Sequence, residues 1–352
     1  MAERKLNILD CYTDLKFLSQ FCQDRPISDY VDNPSEHNQW NSLYNFFKSS
    51  SNLIINCKNV NQLKKEINNR KELIILKSFV TNRGSTRLEI NPNKFRPLRK
   101  VTFQNEFSNP RSLFLIGKES LNQKEKQTEN NGFLICTEND YLNSWNRLNL
   151  NNSDKNPESL PVRNTTVGLG LKNWTYLKNY RLPITCIIIA DRYFLQEQKL
   201  LEYNLYPMLN AYVGNPNNHF ELLLISEKRN CWIPNAKIVF NEIRNQWIEK
   251  NNLKASLGIV LSGSKLKEHD RGLFTNYCHV FSGDTFNYFT PTGEYRTKGT
   301  TISFYSMTKV DKVNVADSVL LNLKKISNQV SMSGNEEDFF GRIESKLFKH
   351  IS

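Results

Sequence analysis

The chain lacks the long apolar segment that a membrane helix requires. No stretch of its 352 residues approaches the roughly 18 consecutive apolar residues of a membrane span. Glycine and proline are also scarce, with 14 and 12 residues, which excludes collagen-like and low-complexity chains. The N-terminal residues contain no apolar core of a secretory signal. These absences together predict a soluble, cytoplasmic, globular protein.

The sequence also lacks the usual signatures of metal, cofactor and nucleotide sites. It contains no P-loop, no H-E-x-x-H and no G-x-S-x-G motif, and Gly168-Leu169-Gly170 lacks the strand, third glycine and helix of a dinucleotide site. No two cysteines are separated by only two residues, so no structural zinc site is expected. We therefore predict no metal and no cofactor, and reduced thiols in a reducing compartment. The seven cysteines are Cys11, Cys22, Cys57, Cys136, Cys186, Cys231 and Cys278.

Positive charge is in excess, since 47 lysines and arginines face 35 acidic residues, a formal net charge of +12. A basic balance favours a polyanionic partner. The densest cluster lies at residues 83–100, where Glu89 is the one acid, Pro92 and Pro97 prevent a helix, and Phe95 lies among the charges. This composition suits phosphate contacts with base stacking, and the alternative is a solvated loop. The six cations of the cluster are Arg83, Arg87, Lys94, Arg96, Arg99 and Lys100.

The length predicts two domains, at about 150 residues each. Residues 119–131 and 149–165 are rich in polar and charged side chains, with Asn, Ser, Pro and Asp in the second segment, and both predict surface loops. We place a linker at 151–165, an α/β domain at 1–150 and a second α/β domain at 166–352.

Short apolar runs alternate with amphipathic segments in both halves, which predicts α/β layers with mixed sheets and flanking helices. In the first half we expect a mainly helical stretch over the first 50 residues, strands at 53–57, 72–80, 112–116 and 132–136, and a helix at 60–70. In the second half, Ile184–Ala190 is the most apolar run and predicts a central strand covered on both faces. Further strands are expected at 220–225, 256–261, 273–281, 286–289 and 301–305, the last three as a meander, with helices at 200–212, 236–250, 313–328 and 336–350.

Chemistry-bearing residues concentrate in the segment 265–290, which has the sequence KLKEHDRGLFTNYCHVFSGDTFNYFT. On a strand, His269 and Arg271 would point to the same face because they are two residues apart. The arginine can bind a phosphate with two donors, and the histidine can add a third donor or act as a nucleophile. Lys265 and Lys267 add positive charge beside them. The segment therefore predicts a phosphate-binding site.

The spacing of this segment resembles the phospholipase D superfamily, whose motif is His-x-Lys-(four residues)-Asp followed by a Gly-Ser-x-Asn-like turn. This chain has His269-x-Arg271-(four residues)-Asn276, then Ser282-Gly283-Asp284 and Asn287. It is most similar to a degenerate branch in which the motif becomes His-Asp-Arg and catalysis is absent or unproven. The resemblance implies a phospholipase D-like fold for the second domain and a role in prokaryotic antiviral defence or in a mobile-element system.

The departures from that motif separate two functions. The resemblance implies that His269 would attack a phosphodiester and that Arg271 would bind its oxygens, but Asn276 cannot supply the negative charge that stabilises an imidazolium. The family uses two facing motifs and this chain has one, so catalysis would require a homodimer. One hypothesis is therefore a nucleic-acid-binding or interaction protein. Its expected partners are nucleic acid and a further protein, and it is not expected to bind a membrane. The other is a metal-independent phosphodiesterase or nuclease that uses His269, Arg271 and Asn276 across a homodimer. A third possibility is that the His-Asp-Arg trio is only structural.

Overall fold

The computed structural model describes residues 8–26, 34–77, 87–90, 109–117, 130–150, 157–163, 170–214, 216–266, 271–297 and 299–351. They form two compact units. Residues Met1–Glu129, Phe133–Asn149 and Met307–Val310 belong to the first unit, and Asn130–Gly132, Leu150–Ser306 and Asp311–Ser352 belong to the second. Both units contain a sheet with flanking helices, which confirms the predicted α/β class.

The first unit is built on a five-stranded sheet in the order β3-β2-β1-β4-β5. Every neighbouring pair in this sheet is parallel, and parallel sheets require cover on both faces. The burial of all residues in β2, β4 and β5 agrees with that requirement. The strands are β1 (Leu9–Thr13), β2 (Ser51–Ile55), β3 (Arg87–Ile90), β4 (Ser112–Ile116) and β5 (Leu134–Thr137).

Among the described residues, four helices and a 3-10 helix accompany this sheet. Two of the helices begin at side chains that accept an amide hydrogen bond: Asp14 accepts from Phe17 N at 2.7 Å, and Asn59 accepts from Gln62 N at 2.9 Å. The elements are α1 (Leu15–Gln23), α2 (Pro34–Ser49), α3 (Val60–Asn69), the 3-10 helix Lys71–Leu76 and α4 (Tyr141–Asn149).

The described part of the first 50 residues is mainly helical, as predicted, and it also contains β1, the central strand of the sheet between β2 and β4. One sequence prediction for the first unit is wrong. The predicted strand at 72–80 is a 3-10 helix over Lys71–Leu76 that buries Leu73 and Leu76 and leaves Ile74 61% exposed. A short apolar run does not distinguish a strand from a helical turn by periodicity alone. Residues 78–80 lie outside the described residues.

The second unit contains an eight-stranded mixed sheet in the order β13-β9-β8-β7-β10-β11-β12-β6. β7, β8 and β9 are parallel to one another, and the other neighbouring pairs are antiparallel. The strands are β6 (Ser159–Val162), β7 (Cys186–Ala190), β8 (Phe220–Glu227), β9 (Ala255–Ser262), β10 (Gly272–Thr275), β11 (Cys278–Ser282), β12 (Thr300–Ser306) and β13 (Phe339–Gly341). Since β6 lies within the predicted linker at 151–165, those four residues are not a loop.

The prediction of a central strand at Ile184–Ala190 is confirmed. β7 lies between β8 and β10, and all five of its residues are buried. The apolar stripes predicted for the two following helices also pack into the core beside Ile187 and Ile189. The described helical elements of the unit are the 3-10 helices Trp174–Tyr180 and Lys228–Asn230, α5 (Gln198–Leu200, a π turn at Leu201–Leu205, then Tyr206–Val213), α6 (Ala236–Ile243, then a π turn at Arg244–Glu249), α7 (Val310–Met332) and α8 (Lys346–Lys349).

Three predictions at the C-terminal side of this unit require correction. The segment 273–281 is a hairpin of β10 and β11 and not one strand. Residues 286–289 form no strand, only an isolated bridge between Phe289 and Tyr295. The helix expected at 336–350 is replaced by β13 and the short α8, because Gly341 has a φ of 77° and a Cβ there would lie 2.3 Å from Leu257 O.

The lengths and hydropathies of the helices show whether one of them could span a membrane. Within the described ranges, none of the helices is both long enough and apolar enough to cross a bilayer.

Candidate anion-binding site

One edge of the second sheet collects the polar residues that follow its central strands. Because β7, β8 and β9 are parallel, the residues after Ala190, Glu227 and Ser262 lie at the same edge. β10 is antiparallel to β7 and pairs Gly272 with Ala190, so Arg271 lies there too. We call this edge the carboxyl edge. Ligands of open α/β sheets bind outside the carboxyl ends of the strands.

Arg271 is the buried cation of this edge with the fewest contacts to its side chain. The side chain is 8% exposed, and its nearest acid is Asp284, with 3.8 Å between Nη1 and Oδ1. The guanidinium carbon lies 5.9 Å from the ring centroid of Tyr193. Within the part of the chain that the structure describes, Nε has no hydrogen-bond partner. A buried guanidinium with one long ion pair retains donors for an anion.

A buried ion pair lies at the ends of β7 and β8. Arg192 Nε is 2.8 Å from Glu227 Oε1, and these side chains are 8% and 1% exposed. Leu266 contacts both partners: its N–H donates to Glu227 Oε1 at 2.8 Å, and its carbonyl accepts from Arg192 Nη2. Such bonds offset the cost of burying two charges. The pair therefore fixes Leu266, the last described residue before Arg271.

The second oxygen of Glu227 binds a further cation. Glu227 Oε2 accepts from Arg229 Nε at 2.8 Å and from Asn230 Nδ2 at 3.0 Å. The side chain of Arg229 is 64% exposed. One buried carboxylate thus holds two guanidinium groups, and positive charge exceeds negative charge around it.

Asp191 connects two loops of the carboxyl edge. Its Oδ1 accepts from Tyr193 N at 2.7 Å and its Oδ2 accepts from Phe286 N at 2.5 Å. Burial raises the pKa of this carboxyl to about 6, although the two amides and the charge of Arg271 act in the opposite direction. Asp191 therefore holds the loop after β7 against the turn after β11.

The titration of Asp191 predicts a pH dependence of stability. Because its pKa is higher in the folded chain than in the unfolded chain, the folded state binds more protons between pH 4 and pH 6. Stability from this group should therefore fall as the pH rises from about 4 to about 6, by about 3 kcal/mol, and then level off. The measurement is the pH profile of Tm for the wild type minus that of Asp191→Asn. A difference that is flat over this range would contradict the prediction.

The turn after β11 places the Ser282–Asn287 segment beside Arg271. Ser282 Oγ donates to Asp284 O and accepts from Tyr288 OH, the latter at 2.6 Å. Asn287 Nδ2 donates to Tyr193 O at 2.7 Å. The carboxylate of Asp284 is half-exposed and accepts from Thr285 N at 2.8 Å. The carboxylate of Asp284 therefore lies at the protein surface, next to the Arg271 guanidinium.

The structure separates Asn276 from this site. Asn276 Oδ1 accepts from Thr185 N at 2.9 Å and from Cys186 N at 3.3 Å, at the amino end of β7. Arg271 and Asn276 therefore lie at opposite ends of β10, about 16 Å apart at about 3.3 Å per residue. The amide of Asn276 holds backbone at the far edge, so the geometry does not bring it to a phosphate at Arg271.

Two residues of the predicted site, Lys267 and His269, lie outside the described residues. Lys265 is exposed just beyond β9. His279, the other histidine of the segment, is buried and stacks on Phe274, with 4.3 Å between ring centroids.

The basic cluster at 83–100 also falls almost wholly outside the described residues. The structure describes only the backbone of β3, which includes Arg87. Phosphate contact by this cluster stays a prediction. The other cations of the cluster, all outside the described residues, are Arg83, Lys94, Arg96, Arg99 and Lys100.

Four charged residues of the carboxyl edge were missed by sequence reasoning: Asp191, Arg192, Glu227 and Arg229. Each lies at the end of a buried apolar strand or within two residues of it. The sequence does contain a pattern that predicts them: charged residues directly follow two neighbouring apolar runs. Parallel strands bring such residues to one edge of the sheet.

Comparison with known proteins adds little to this geometry. No protein-family model matches the chain, and no curated protein matches it. Among solved structures, it is similar to the phosphatidylserine synthase of Haemophilus influenzae Rd KW20, with 11% sequence identity over 55% of this chain and a TM-score of 0.28. The match spans 41% of that protein. We base no inference on a likeness of this size.

Proposed function

We propose that this protein binds nucleic acid through backbone phosphates at the carboxyl edge, with Arg271 as the main phosphate contact. The observation that carries the proposal is the state of this side chain: it is buried, its Nε has no partner among the described residues, and its one ion pair is 3.8 Å long. Arginine donors bind phosphate oxygens in pairs. Phosphate contacts supply most of the affinity of sequence-independent binding.

The net charge of the protein supports an anionic ligand. The described residues at the carboxyl edge carry equal numbers of cations and acids, so the attraction comes from the whole protein. The formal net charge of +12 attracts polyanions over a long range. The cations of the edge are Arg192, Lys228, Arg229, Lys265 and Arg271, and the acids are Asp191, Glu227, Asp284, Glu337 and Asp338.

The test is fluorescence anisotropy with labelled single- and double-stranded DNA and RNA. Arg271→Gln should weaken binding about 10- to 100-fold, because a hydrogen bond to a charged group contributes about 1.5–3 kcal/mol. Arg296→Gln is the matched control, since it removes the same charge and breaks a 3.2 Å ion pair with Glu197. It should change affinity less than twofold. Equal affinity of wild type and Arg271→Gln at low salt would contradict the proposal.

The same assay separates binding from catalysis. A phosphodiesterase acting across a homodimer would cleave the oligonucleotide in the presence of EDTA, and His269→Ala would abolish cleavage while leaving affinity nearly unchanged. We rank this activity second because Asn276 lies at the far end of β10. Metal-independent cleavage that is lost only in His269→Ala would make the enzyme the correct assignment.

Replacing Asp284 should change oligonucleotide affinity in the opposite direction to replacing Arg271. The carboxylate of Asp284 competes with a phosphate for Arg271 Nη1, so Asp284→Asn should strengthen oligonucleotide binding, by about 2- to 5-fold. Asp311→Asn removes the same charge and also breaks a loose ion pair, at 3.6 Å from Lys312, and should have a much smaller effect. Anisotropy of the two variants measures the difference. Weaker binding by Asp284→Asn would show that this acid supports the site.

The cellular role that we propose follows from the resemblance of residues 180–306 to the degenerate phospholipase D-like branch. In this role the protein is a component of a prokaryotic antiviral defence or mobile-element system, and the cluster at 83–100 supplies a second phosphate contact. Purification of the intact protein from its host, followed by sequencing of bound nucleic acid and identification of bound proteins, tests this role. Nucleic acid drawn evenly from the host genome and transcripts would contradict it.

A further inference from the structure

The carboxyl edge extends well beyond Arg271. β9, β8, β7 and β10 are consecutive neighbours in the sheet. Lys265 lies three residues after β9, Arg229 lies two residues after β8, and Arg271 directly precedes β10. Neighbouring strands are about 4.8 Å apart. The strand spacing therefore separates Arg229 from Arg271 by about 10 Å along the edge. Lys265 directly precedes Leu266, which bonds Glu227 and Arg192, so Lys265 lies beside the end of β8 and not at the end of β9.

A continuous chain of contacts joins these cations. Arg229 binds Glu227, Glu227 pairs with Arg192, and the Arg192 guanidinium lies 5.5 Å from the ring centroid of Tyr193. The Arg271 guanidinium lies 5.9 Å from the same centroid. Three members of this chain of contacts, Arg192, Glu227 and Arg271, are buried and hold the two ends at a fixed separation.

Arg229 and Lys265 can both reach a ligand. The one hydrogen bond of the Arg229 side chain within the described residues uses Nε, and the side chain is 64% exposed, so both terminal nitrogens can donate to a phosphate. Lys265 is exposed, and its backbone position is fixed by the bond from Leu266 N to Glu227. The two cations therefore both lie beside the end of β8.

We infer that Arg229 and Lys265 form a second phosphate contact, so that one nucleic-acid strand crosses the ends of β7 and β8 with one phosphate at Arg271 and another at this pair. A separation of about 10 Å along the edge exceeds the distance between neighbouring phosphates of one strand, so both contacts require a strand of at least three nucleotides. The inference rests on the proposed function and adds a minimum length to its ligand.

The experiment compares the double variant Arg229→Gln/Lys265→Gln with a matched double control. The control is Arg244→Gln/Lys254→Gln: Arg244 is 54% exposed and pairs through Nε with Glu249 at 2.8 Å, and Lys254 lies exposed at the amino end of β9. Affinities for single strands of two, four and eight nucleotides are measured over a range of salt. Arg229→Gln removes one of the two cations that pair with the buried Glu227, so the Tm of both doubles is measured first and binding is compared at a temperature where each is folded.

The expected result depends on length. The Arg229/Lys265 double should bind the eight-nucleotide strand about 10-fold more weakly, with a salt slope reduced by about 0.7 for each lost phosphate contact, and should bind the two-nucleotide ligand as the wild type does. An equal loss in both doubles, or an equal loss at every length, would overturn the inference. If Arg271→Gln loses affinity and this double does not, the inference fails and the proposed function stands. If neither loses affinity, both fail.

Discussion

Replacing Ile188 by Asp should abolish soluble expression of this protein. Ile188 is completely buried at the middle of β7, between Leu223 of β8 and Phe274 of β10. A carboxylate there would have no partner, and burying a charge costs several kcal/mol even after relaxation. That cost is comparable with the whole stability of a typical domain, about 5–15 kcal/mol. Soluble yield and Tm are the measurements.

The same substitution at an exposed isoleucine separates the effect of burying a charge from the effect of adding one. Ile238, on α6, is 46% exposed, so Ile238→Asp introduces the same carboxylate with little desolvation and should leave the yield and Tm near those of the wild type. If Ile188→Asp were also soluble and unfolded cooperatively near the wild-type Tm, β7 could not be a central strand.

The second large effect concerns the two buried glutamates at the ends of β8. Glu227 pairs with Arg192 and accepts from Leu266 N, and Glu221 pairs with Arg342 at 2.7 Å and accepts from Lys346 N at 2.8 Å. Removing one partner of a buried pair costs about 3–5 kcal/mol. Glu227→Gln should approach that value, because Arg192 is 8% exposed. Glu221→Gln should lose less, because Arg342 is 44% exposed.

The two variants also differ in what they do to binding. Glu227→Gln removes the charge that holds Arg192, Arg229 and Leu266, so at a temperature where it is still folded it should bind oligonucleotides several-fold more weakly or with an altered salt slope. Glu221→Gln lies at the opposite edge and should bind as the wild type does. Tm and anisotropy on both variants measure the contrast. Equal binding losses would mean that Glu227 acts on stability alone.

The sequence predicted the strands whose burial is nearly continuous. β7 and β8 are apolar runs without alternation, and such runs belong to central parallel strands. The pattern failed for β1 and β13. Asp10 and Thr13 give β1 a polar character although it is central, and the glycine of β13 is required by a close backbone approach that depends on the fold.

The candidate site was predicted only where its residues are close in the chain. Arg271 and the Ser282–Asn287 turn meet because β10 and β11 form a hairpin, which is a local structure. Asp191 and Phe286 are 95 residues apart, and Glu227 and Leu266 are 39 apart. Their contacts depend on the sheet order, which no local pattern contains. Asn276 was misplaced because a strand of four residues carries it to the other edge.

The most direct test of the account is an NMR titration that follows the Nε–H signal of Arg271. The signal is assigned in ¹⁵N-labelled protein by its loss in Arg271→Lys, and an eight-nucleotide single strand is added at low salt. We expect this signal to shift during the titration and to return towards its free position when salt is raised, as counterions compete for the phosphates. The signal of Arg181, whose Nε donates to Ala211 O at 3.1 Å, should stay in place. An Arg271 signal that does not move while the oligonucleotide binds would contradict the assignment of Arg271 as the phosphate contact.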